Sequence, residues 1–239
     1  MGLFDKKFCD ICGAKIGLLG NRKLDDGNMC KDCSALLSPF MTDRKRTSVA
    51  DIKEHLAYRE ANKQAVSTFN ATRTLGTTMK VILDEDNRKF LVTSAQRWQG
   101  VNPDVMDFSQ VTGCQTEVKE SRTELKKDGP DGKQISYTPP RYDIDYDIHL
   151  TIYVNHPWFS QISFKINASR IKERTSVEYR EAERIAKEVK EALTEVRQEI
   201  RDNIAEANAP KKAMTCPQCG ATTMPNASMQ CEYCGGALT

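Results

Sequence analysis

Two sets of four cysteines, one near each end of the chain, constrain the fold more than any other feature of the sequence. Each set consists of two Cys-x-x-Cys pairs, separated by seventeen residues in the first set and by eleven in the second. This arrangement is typical of a site that holds one zinc ion between four thiolates. The predicted ligands are Cys9, Cys12, Cys30 and Cys33 in the first set and Cys216, Cys219, Cys231 and Cys234 in the second.

The residues around these pairs suit metal ligation. Gly13, Gly220 and Gly235 each follow the second cysteine of a pair, where the chain must turn back in little space. The pair formed by Cys30 and Cys33 lacks this glycine and is predicted to lead into a short helix, whose N-terminal dipole favours thiolate. Because four thiolates complete a tetrahedron, we expect two structural zinc ions and no open position for catalysis.

The start of the chain and its charge restrict the cellular setting and the partners. The first residues contain no hydrophobic run typical of a secretory leader, so we expect a cytoplasmic protein with reduced thiols. No apolar run approaches the roughly 20 residues that span a bilayer, and a membrane is therefore not an expected partner. The formal net charge of +2 falls to −2 once eight thiolates (−8) and two zinc ions (+4) are counted, which argues against a general polyanion binder.

The first module is predicted to cover residues 1–41. It contains Cys9-Asp-Ile-Cys12-Gly13, a bend at Leu18-Leu-Gly-Asn21 and Cys30-Lys-Asp-Cys33. Short stretches on both sides of the bend favour a small hairpin. With these segments, residues 8–40 resemble a bacterial zinc-ribbon family of unknown function, which implies a zinc-ribbon or treble-clef-like fold and a metal but no reaction.

Residues 42–74 are predicted to be a linker that contains one helix. Ser48 is a typical N-cap, and the apolar stripe after it is short, so we interpret the helix as a connector. His55, on this helix, is expected to be solvated. Arg44-Lys45-Arg46 is locally basic and supports an alternative function in nucleic-acid binding. Nucleic acid is the less favoured partner, since few aromatic residues are interleaved with the basic ones.

A β-rich region begins near residue 75. Period-two patterns predict strands at 79–83, 89–93, 111–118, 143–154 and 161–166. The longest of these strands alternates apolar residues with Asp143, Asp145 and Asp147. We interpret the aspartate face as a solvated or charge-protected surface rather than a calcium site, because alternate residues of one strand lie about 6.6 Å apart.

An exposed hairpin is predicted between about Lys119 and Arg141, with Pro139-Pro140 marking the loop before the longest strand. After the strands, an amphipathic helix is predicted over residues 178–206, with apolar residues recurring every three or four positions. Such a stripe packs on a sheet or forms a coiled-coil dimer. A homo-oligomer through this helix is therefore an open alternative.

Antiparallel strands followed by one C-terminal helix resemble a bacterial pleckstrin-homology-like (PH-like) domain over residues 75–206. The likeness is supported locally by the stretches at 84–91 and 105–111. It implies binding of peptides, proteins or anionic lipid headgroups. Asp128 and Asp131 dilute the lysines that a lipid site in this domain would need, so lipid binding there is not expected.

Three further residues are candidates for a role. Trp158 and Phe159 lie in a predicted turn, where they either fill the core or, if exposed, anchor a protein partner. Cys114 is the ninth cysteine and is expected to be a buried, small hydrophobic residue.

The predicted fold class is α+β: an antiparallel PH-like barrel or sheet with a long C-terminal helix, flanked by two small zinc-ribbon modules. Residues 207–213 are predicted as a linker, and residues 214–239 resemble the short zinc ribbons found at the ends of bacterial proteins. The sequence contains no Gly-rich phosphate loop or nucleophile motif, so an enzyme is not expected. The favoured function is a zinc-binding scaffold or protein-interaction protein whose partner the sequence does not identify.

Overall fold

The computed structural model describes residues 7–208, 213–224 and 229–238, and for 195–208 it describes the backbone only. The chain divides into two compact units, residues 1–197 and 198–239. Most of the predicted linker at 207–213 lies outside the described residues. In the described part of the chain, no helix is both long enough and apolar enough to cross a membrane.

The first unit begins with two short hairpins and a short helix. The fully buried side chains of Leu24, Met29 and Ile52 pack with the cysteines of this region into one small core. So few apolar residues leave the first module dependent on other stabilising interactions. The elements are β1 (Lys7–Phe8), β2 (Lys15–Ile16), β3 (Arg22–Lys23), β4 (Asn28–Met29) and α1 (Lys31–Ala35), with β1 paired to β2 and β3 paired to β4.

Helix α2 (Val49–Ser67) begins as the sequence predicts. Ser48 accepts a hydrogen bond from Asp51 N–H, and the Asp51 carboxylate accepts one from Ser48 N–H. The buried residues of the helix recur every three or four positions, as one helical face requires, but most of them are polar. They are Ile52, His55, Arg59, Asn62 and Val66. The weak apolar stripe therefore reflects a polar buried face, and α2 packs into the fold rather than only connecting two parts of it.

A four-stranded antiparallel sheet follows α2. Its strands are β5 (Arg73–Leu75), β6 (Lys80–Asp84), β7 (Lys89–Thr93) and β8 (Val105–Asp107), paired in that order. Strands β6 and β7 lie close to the predicted positions, whereas β5 and β8 are too short for a clear period-two pattern. Phe90 and Phe108 stack 5.8 Å apart in the core beneath the sheet and are fully buried.

A second antiparallel sheet contains β9 (Val111–Asp128), β10 (Gln134–Val154) and β11 (Gln161–Lys165), in the order β11-β10-β9. Ile148, Leu150 and Ile152 are fully buried, which confirms the predicted apolar face over this part of the longest strand, whereas Tyr142, predicted on the same face, is 52% exposed. Pro139-Pro140 lies within β10, where the register with β9 shifts between Ser136 and Arg141. The prediction that these prolines mark a loop before the strand is wrong. The irregular pairing accommodates residues that cannot donate to the ladder.

The distal parts of β9 and β10, residues 119–128 and 134–142, form what we call the β-arm. Almost all of its side chains are exposed, as the sequence predicts for this hairpin. Strand β11 pairs only with the part of β10 from His149 onward, and Ile171 makes one further bridge to Tyr146. The β-arm is therefore a two-stranded ribbon about 30 Å long.

Helix α3 (Val177–Asn208) buries the first part of its predicted apolar stripe, while the predicted stripe residues after 194 lie outside the described side chains. Tyr179 packs edge-on against Tyr146 of β10, with ring centroids 6.1 Å apart. The buried residues are Tyr179, Ala182, Ile185, Ala186, Val189, Ala192 and Leu193. The structure is thus mixed helix and sheet with antiparallel strands, and within the described residues the sheets do not close into a barrel.

The second unit contains β12 (Met214–Thr215) paired with β13 (Thr222–Thr223). Leu238 is 1% exposed and packs with Cys216 and Cys231, and Met214 adds to this small cluster. A core of this size cannot hold a module of about 25 residues together without a further cross-link.

Candidate metal centres

The first four cysteines form a cluster of the size that a tetrahedral ion requires. All four sulfur atoms lie within 4.8 Å of one another. Cys9 Sγ lies 3.9 Å from Cys33 Sγ, and Cys12 Sγ lies 3.8 Å from Cys30 Sγ. Four sulfurs placed about 2.3 Å from a central zinc ion would be about 3.8 Å apart. The thiols are therefore already arranged as ligands of one ion.

Two different local structures place these sulfurs. At the first pair, Gly13 N–H donates to Cys9 O (2.8 Å), and Gly13 adopts φ +74° to close the turn. At the second pair, Cys30 is the N-cap of α1, and its sulfur accepts a hydrogen bond from Cys33 N–H (3.3 Å). One tight turn and one helix start thus face each other across the cluster, in agreement with the predicted glycine turn and short helix.

The second set of cysteines forms a similar cluster, again within 4.8 Å. Cys216 Sγ lies 3.6 Å from Cys234 Sγ, and Cys219 Sγ lies 3.7 Å from Cys231 Sγ. Both of its pairs end in a glycine turn.

These two turns repeat the geometry at Gly13. Gly220 N–H donates to Cys216 O and Gly235 N–H donates to Cys231 O, each at a distance of 2.9 Å. The glycine φ angles are +70° and +73°. The second cluster is therefore built from two equivalent turns, whereas the first joins a turn to a helix.

Electrostatics within the first cluster show why four thiols so close together need a cation. Burial raises the pKa of Cys9, but N–H donors of Cys12, Cys30 and Ile11 outweigh burial and lower it to about 6. Burial and the neighbouring thiols raise the pKa of Cys33 far above its ordinary value. One thiolate thus forms readily, and its charge opposes ionisation of the next.

In the second cluster, too, the charge of one thiolate opposes ionisation of another thiol. Backbone N–H donors, first that of Cys219, lower the pKa of Cys216 to about 7. Gly236 N–H lowers the pKa of Cys234, but the thiols of Cys219 and Cys216 outweigh it and raise that pKa to about 12. A bound divalent cation removes this repulsion. Two groups of four cysteines in the structure could therefore each hold a metal ion, and tetrahedral sulfur donors suit zinc or iron.

A buried polar cluster lies elsewhere in the first unit, between α2 and the residues that lead into β8. Arg59 Nη1 is 2.7 Å from Asp104 Oδ1, and the two side chains are 8% and 0% exposed. Asp104 also accepts hydrogen bonds from Ser38 Oγ (2.7 Å) and Tyr58 OH (3.2 Å). Asn62 donates to Pro103 O (2.7 Å). Sequence reasoning missed this cluster, because Asp104 lies far along the chain from α2.

His55 belongs to the same buried region. It is fully buried, and its Nε2 accepts a hydrogen bond from Ser38 N–H (3.0 Å). Burial lowers the pKa of His55 to about 4, although Asp104 opposes this shift. The prediction that His55 is solvated is therefore wrong, since the face of α2 that carries it is covered by tertiary packing.

Trp158 and Phe159 both pack against the rest of the first unit. Trp158 is half-buried, and its ring lies edge-on to His55 at 4.9 Å. Phe159 is 8% exposed and contacts Phe40 at 5.5 Å between ring centroids. Of the two alternatives left open by the sequence, filling the core describes Phe159, while Trp158 also borders an open groove beside Phe40.

The aspartates of β10 are neutralised within the chain. Lys172 Nζ lies 2.6 Å from Asp143 and 2.9 Å from Asp145, and Lys165 Nζ lies 3.1 Å from Asp147. The sequence predicted a solvated or charge-protected face and gave no role to these lysines. Lys165 reaches Asp147 because β11 pairs with β10, and Lys172 reaches Asp143 and Asp145 because the segment after β11 folds back along β10.

Cys114 is partly buried on β9, opposite Ile152 of β10. Burial raises its pKa to about 11, while Lys190 has the opposite effect. A thiol with a raised pKa is a poor nucleophile at neutral pH. The predicted role as a small hydrophobic residue agrees with this environment, although burial is incomplete.

Comparison with known protein families finds one match, which lies at the N-terminal end of the chain. The sequence model of a domain of unknown function (DUF4428) matches residues 7–55. This stretch contains the first four-cysteine cluster and the first part of α2. Searches of curated proteins and of solved structures returned no match. The match agrees with the predicted resemblance of the N-terminal module to a family of unknown function, and the description of that family names neither a fold nor a metal.

Proposed function

We propose that this chain is a non-enzymatic, zinc-stabilised interaction protein. The observation that carries the proposal is the geometry of the two cysteine clusters. Each offers four sulfurs at separations that suit a single tetrahedral ion. Four thiolates leave no coordination position for water or substrate, so the two ions would stabilise their modules rather than catalyse a reaction.

The surroundings of His55, His156 and Tyr58 are consistent with a non-catalytic protein. His55 is buried and accepts a backbone hydrogen bond, and His156 is hydrogen-bonded to Tyr58 (3.1 Å). Burial and the neighbouring Asp104 raise the pKa of Tyr58, which makes this side chain a weaker acid than an ordinary tyrosine. A general acid or base needs a pKa near the working pH, and burial moves the pKa values of His55 and Tyr58 away from neutral pH.

The β-arm is the surface that we propose for a protein partner. Leu125, Ile135 and Tyr142 are 43%, 39% and 52% exposed on it. A ribbon of two strands is marginally stable in water by itself, so contact with another protein would stabilise it. A PH-like role of residues 75–206 and self-association through the helix at 178–206 belong to the same proposal. The apolar stripe of this helix is buried up to Leu193, so self-association through the helix would use its other residues.

Metal analysis tests the first part of the proposal. Protein purified under reducing conditions should contain two zinc ions per chain. X-ray absorption at the zinc edge should show four sulfurs near 2.3 Å and no oxygen or nitrogen ligand. A coordinated solvent molecule at either ion would contradict a purely structural role of the zinc. Protein that contains no metal would refute the proposal.

Site-specific crosslinking tests the second part. A photoreactive residue at Tyr142 on the β-arm should crosslink to one protein in cells, while the same residue at the exposed Val101 should not. Equal crosslinking patterns at both positions, or no crosslink from the β-arm, would contradict a partner site there.

A further inference from the structure

Leu18 and Leu19 lie at the tip of the turn between β2 and β3. Their side chains are 91% and 89% exposed. The turn is tight, since Gly20 N–H donates to Gly17 O over 3.0 Å. Burying these side chains against anything apolar would be favourable, and two adjacent leucines held almost wholly in water mark a binding surface.

Cations surround this tip. Lys15 and Lys31 line a shallow cavity of about 360 Å³ together with both leucines, and Asp32 is the one acidic residue along it. Arg22 Nη1 donates to Leu19 O (3.3 Å), which places its guanidinium beside the leucines. Within the described residues, Lys15, Arg22 and Lys31 make no ion pair.

Arg44 extends the positive surface on the side of Arg22. Its Nη1 is buried and has no hydrogen-bond partner among the described residues. Burial and the charge of Arg22 lower the pKa of Arg44. An anionic group next to this pair would relieve the repulsion between the two guanidinium groups.

We propose that the tip binds the surface of an anionic lipid bilayer. Leu18 and Leu19 would enter the boundary between headgroups and acyl chains, while Lys15, Arg22 and Lys31 contact lipid phosphates. Anionic bilayers bind proteins that present apolar side chains flanked by Lys and Arg. Each cation near an anionic surface strengthens binding about fivefold. A divalent ion in the first cluster would leave a charge of −2 on the site; three of its four cysteines are buried and Cys12 is exposed, as are Lys15 and Lys31.

This inference goes beyond the proposed function and revises the expectation that a membrane is not a partner. The sequence shows two leucines in a bend, and such leucines ordinarily fill a core; only the structure shows that they point into water. A nucleic acid would engage the cations and leave both leucines exposed. An apolar protein pocket would accept the leucines and would have no need of the surrounding charge.

Vesicle sedimentation with the full-length, zinc-loaded protein tests the proposal. The protein should sediment with vesicles of phosphatidylcholine that contain phosphatidylserine and not with phosphatidylcholine alone, and added salt should weaken binding. The double substitution Leu18→Ser/Leu19→Ser should lower the partition coefficient by about tenfold or more. Lys15→Gln/Lys31→Gln should lower it by about fivefold for each charge.

Leu125→Ser is the matched control, since it removes an exposed leucine from the β-arm. It should leave vesicle binding unchanged. Zinc content and circular dichroism of every variant show that the first module is intact, and they test the metal sites independently of lipid. Absence of binding to anionic vesicles would overturn the proposal. So would unchanged binding by the double leucine variant, or tighter binding to single-stranded DNA that depends on the lysines but not on the leucines.

Discussion

Replacing Asp104 by alanine is expected to destabilise the first unit strongly. Asp104 is fully buried and accepts hydrogen bonds from Arg59, Ser38 and Tyr58. Asp104→Ala leaves the guanidinium of Arg59, only 8% exposed, without its counter-charge. Removing one partner of a buried ion pair costs about 3–5 kcal/mol. For a unit of roughly 200 residues this corresponds to a fall in Tm of about 6–20 °C.

Urea unfolding followed by tryptophan fluorescence measures this loss. The chain has two tryptophans, Trp98 and Trp158, and both lie in the first unit, so the signal reports on that unit. Measurements with excess zinc keep metal loss from contributing to the transition. The matched control is Glu60→Ala, which breaks an exposed pair with Lys63 and should change the free energy of unfolding by less than about 1 kcal/mol.

The double variant Arg59→Met/Asp104→Leu separates an unpaired charge from general loss of packing. Because an apolar pair of similar volume replaces a buried ion pair at little cost, the double variant should recover much of the stability lost in Asp104→Ala. The reasoning is refuted if Asp104→Ala costs under about 1 kcal/mol, or if the double variant is less stable than Asp104→Ala alone.

Three further predictions follow from the metal clusters and from His55. Cys219→Ser should reduce the zinc content from two ions to one, whereas Cys114→Ser should keep two, as mass spectrometry under native conditions can show. Acidification should release zinc, since each ligand must lose its proton to bind; a colorimetric zinc indicator should record the release, and retention of zinc at a pH of about 3 would contradict thiolate ligation. The pKa of His55 lies near 4 in the folded protein and at 6.5 in the unfolded chain, so its neutral form contributes stability that is complete above pH 6.5 and is lost as the pH falls towards 4. Unfolding curves across that range should show a smaller loss for His55→Gln than for the wild-type protein, and identical losses would exclude His55 as the cause.

The sequence by itself determined the two cysteine clusters and the buried part of the longest strand. Cys-x-x-Cys pairs followed by glycine specify a tight turn through local geometry alone, and the structure shows this turn at Gly13, Gly220 and Gly235. Alternation along β10 likewise identified the buried Ile148 and Ile152, because side-chain direction in a strand has a period of two whatever the partner strand.

Only the tertiary structure decided which polar residues are buried and which apolar residues are exposed. His55 is predicted to be solvated, and the sequence assigns Arg59 no role, because their partners, Ser38 and Asp104, are distant in sequence and no sequence signal marks such pairing. Leu18 and Leu19 lie in a predicted bend, and only the structure shows that the turn between β2 and β3 points them into water. Burial of a side chain depends on what the remainder of the chain places against it, and that is fixed by long-range packing rather than by local pattern.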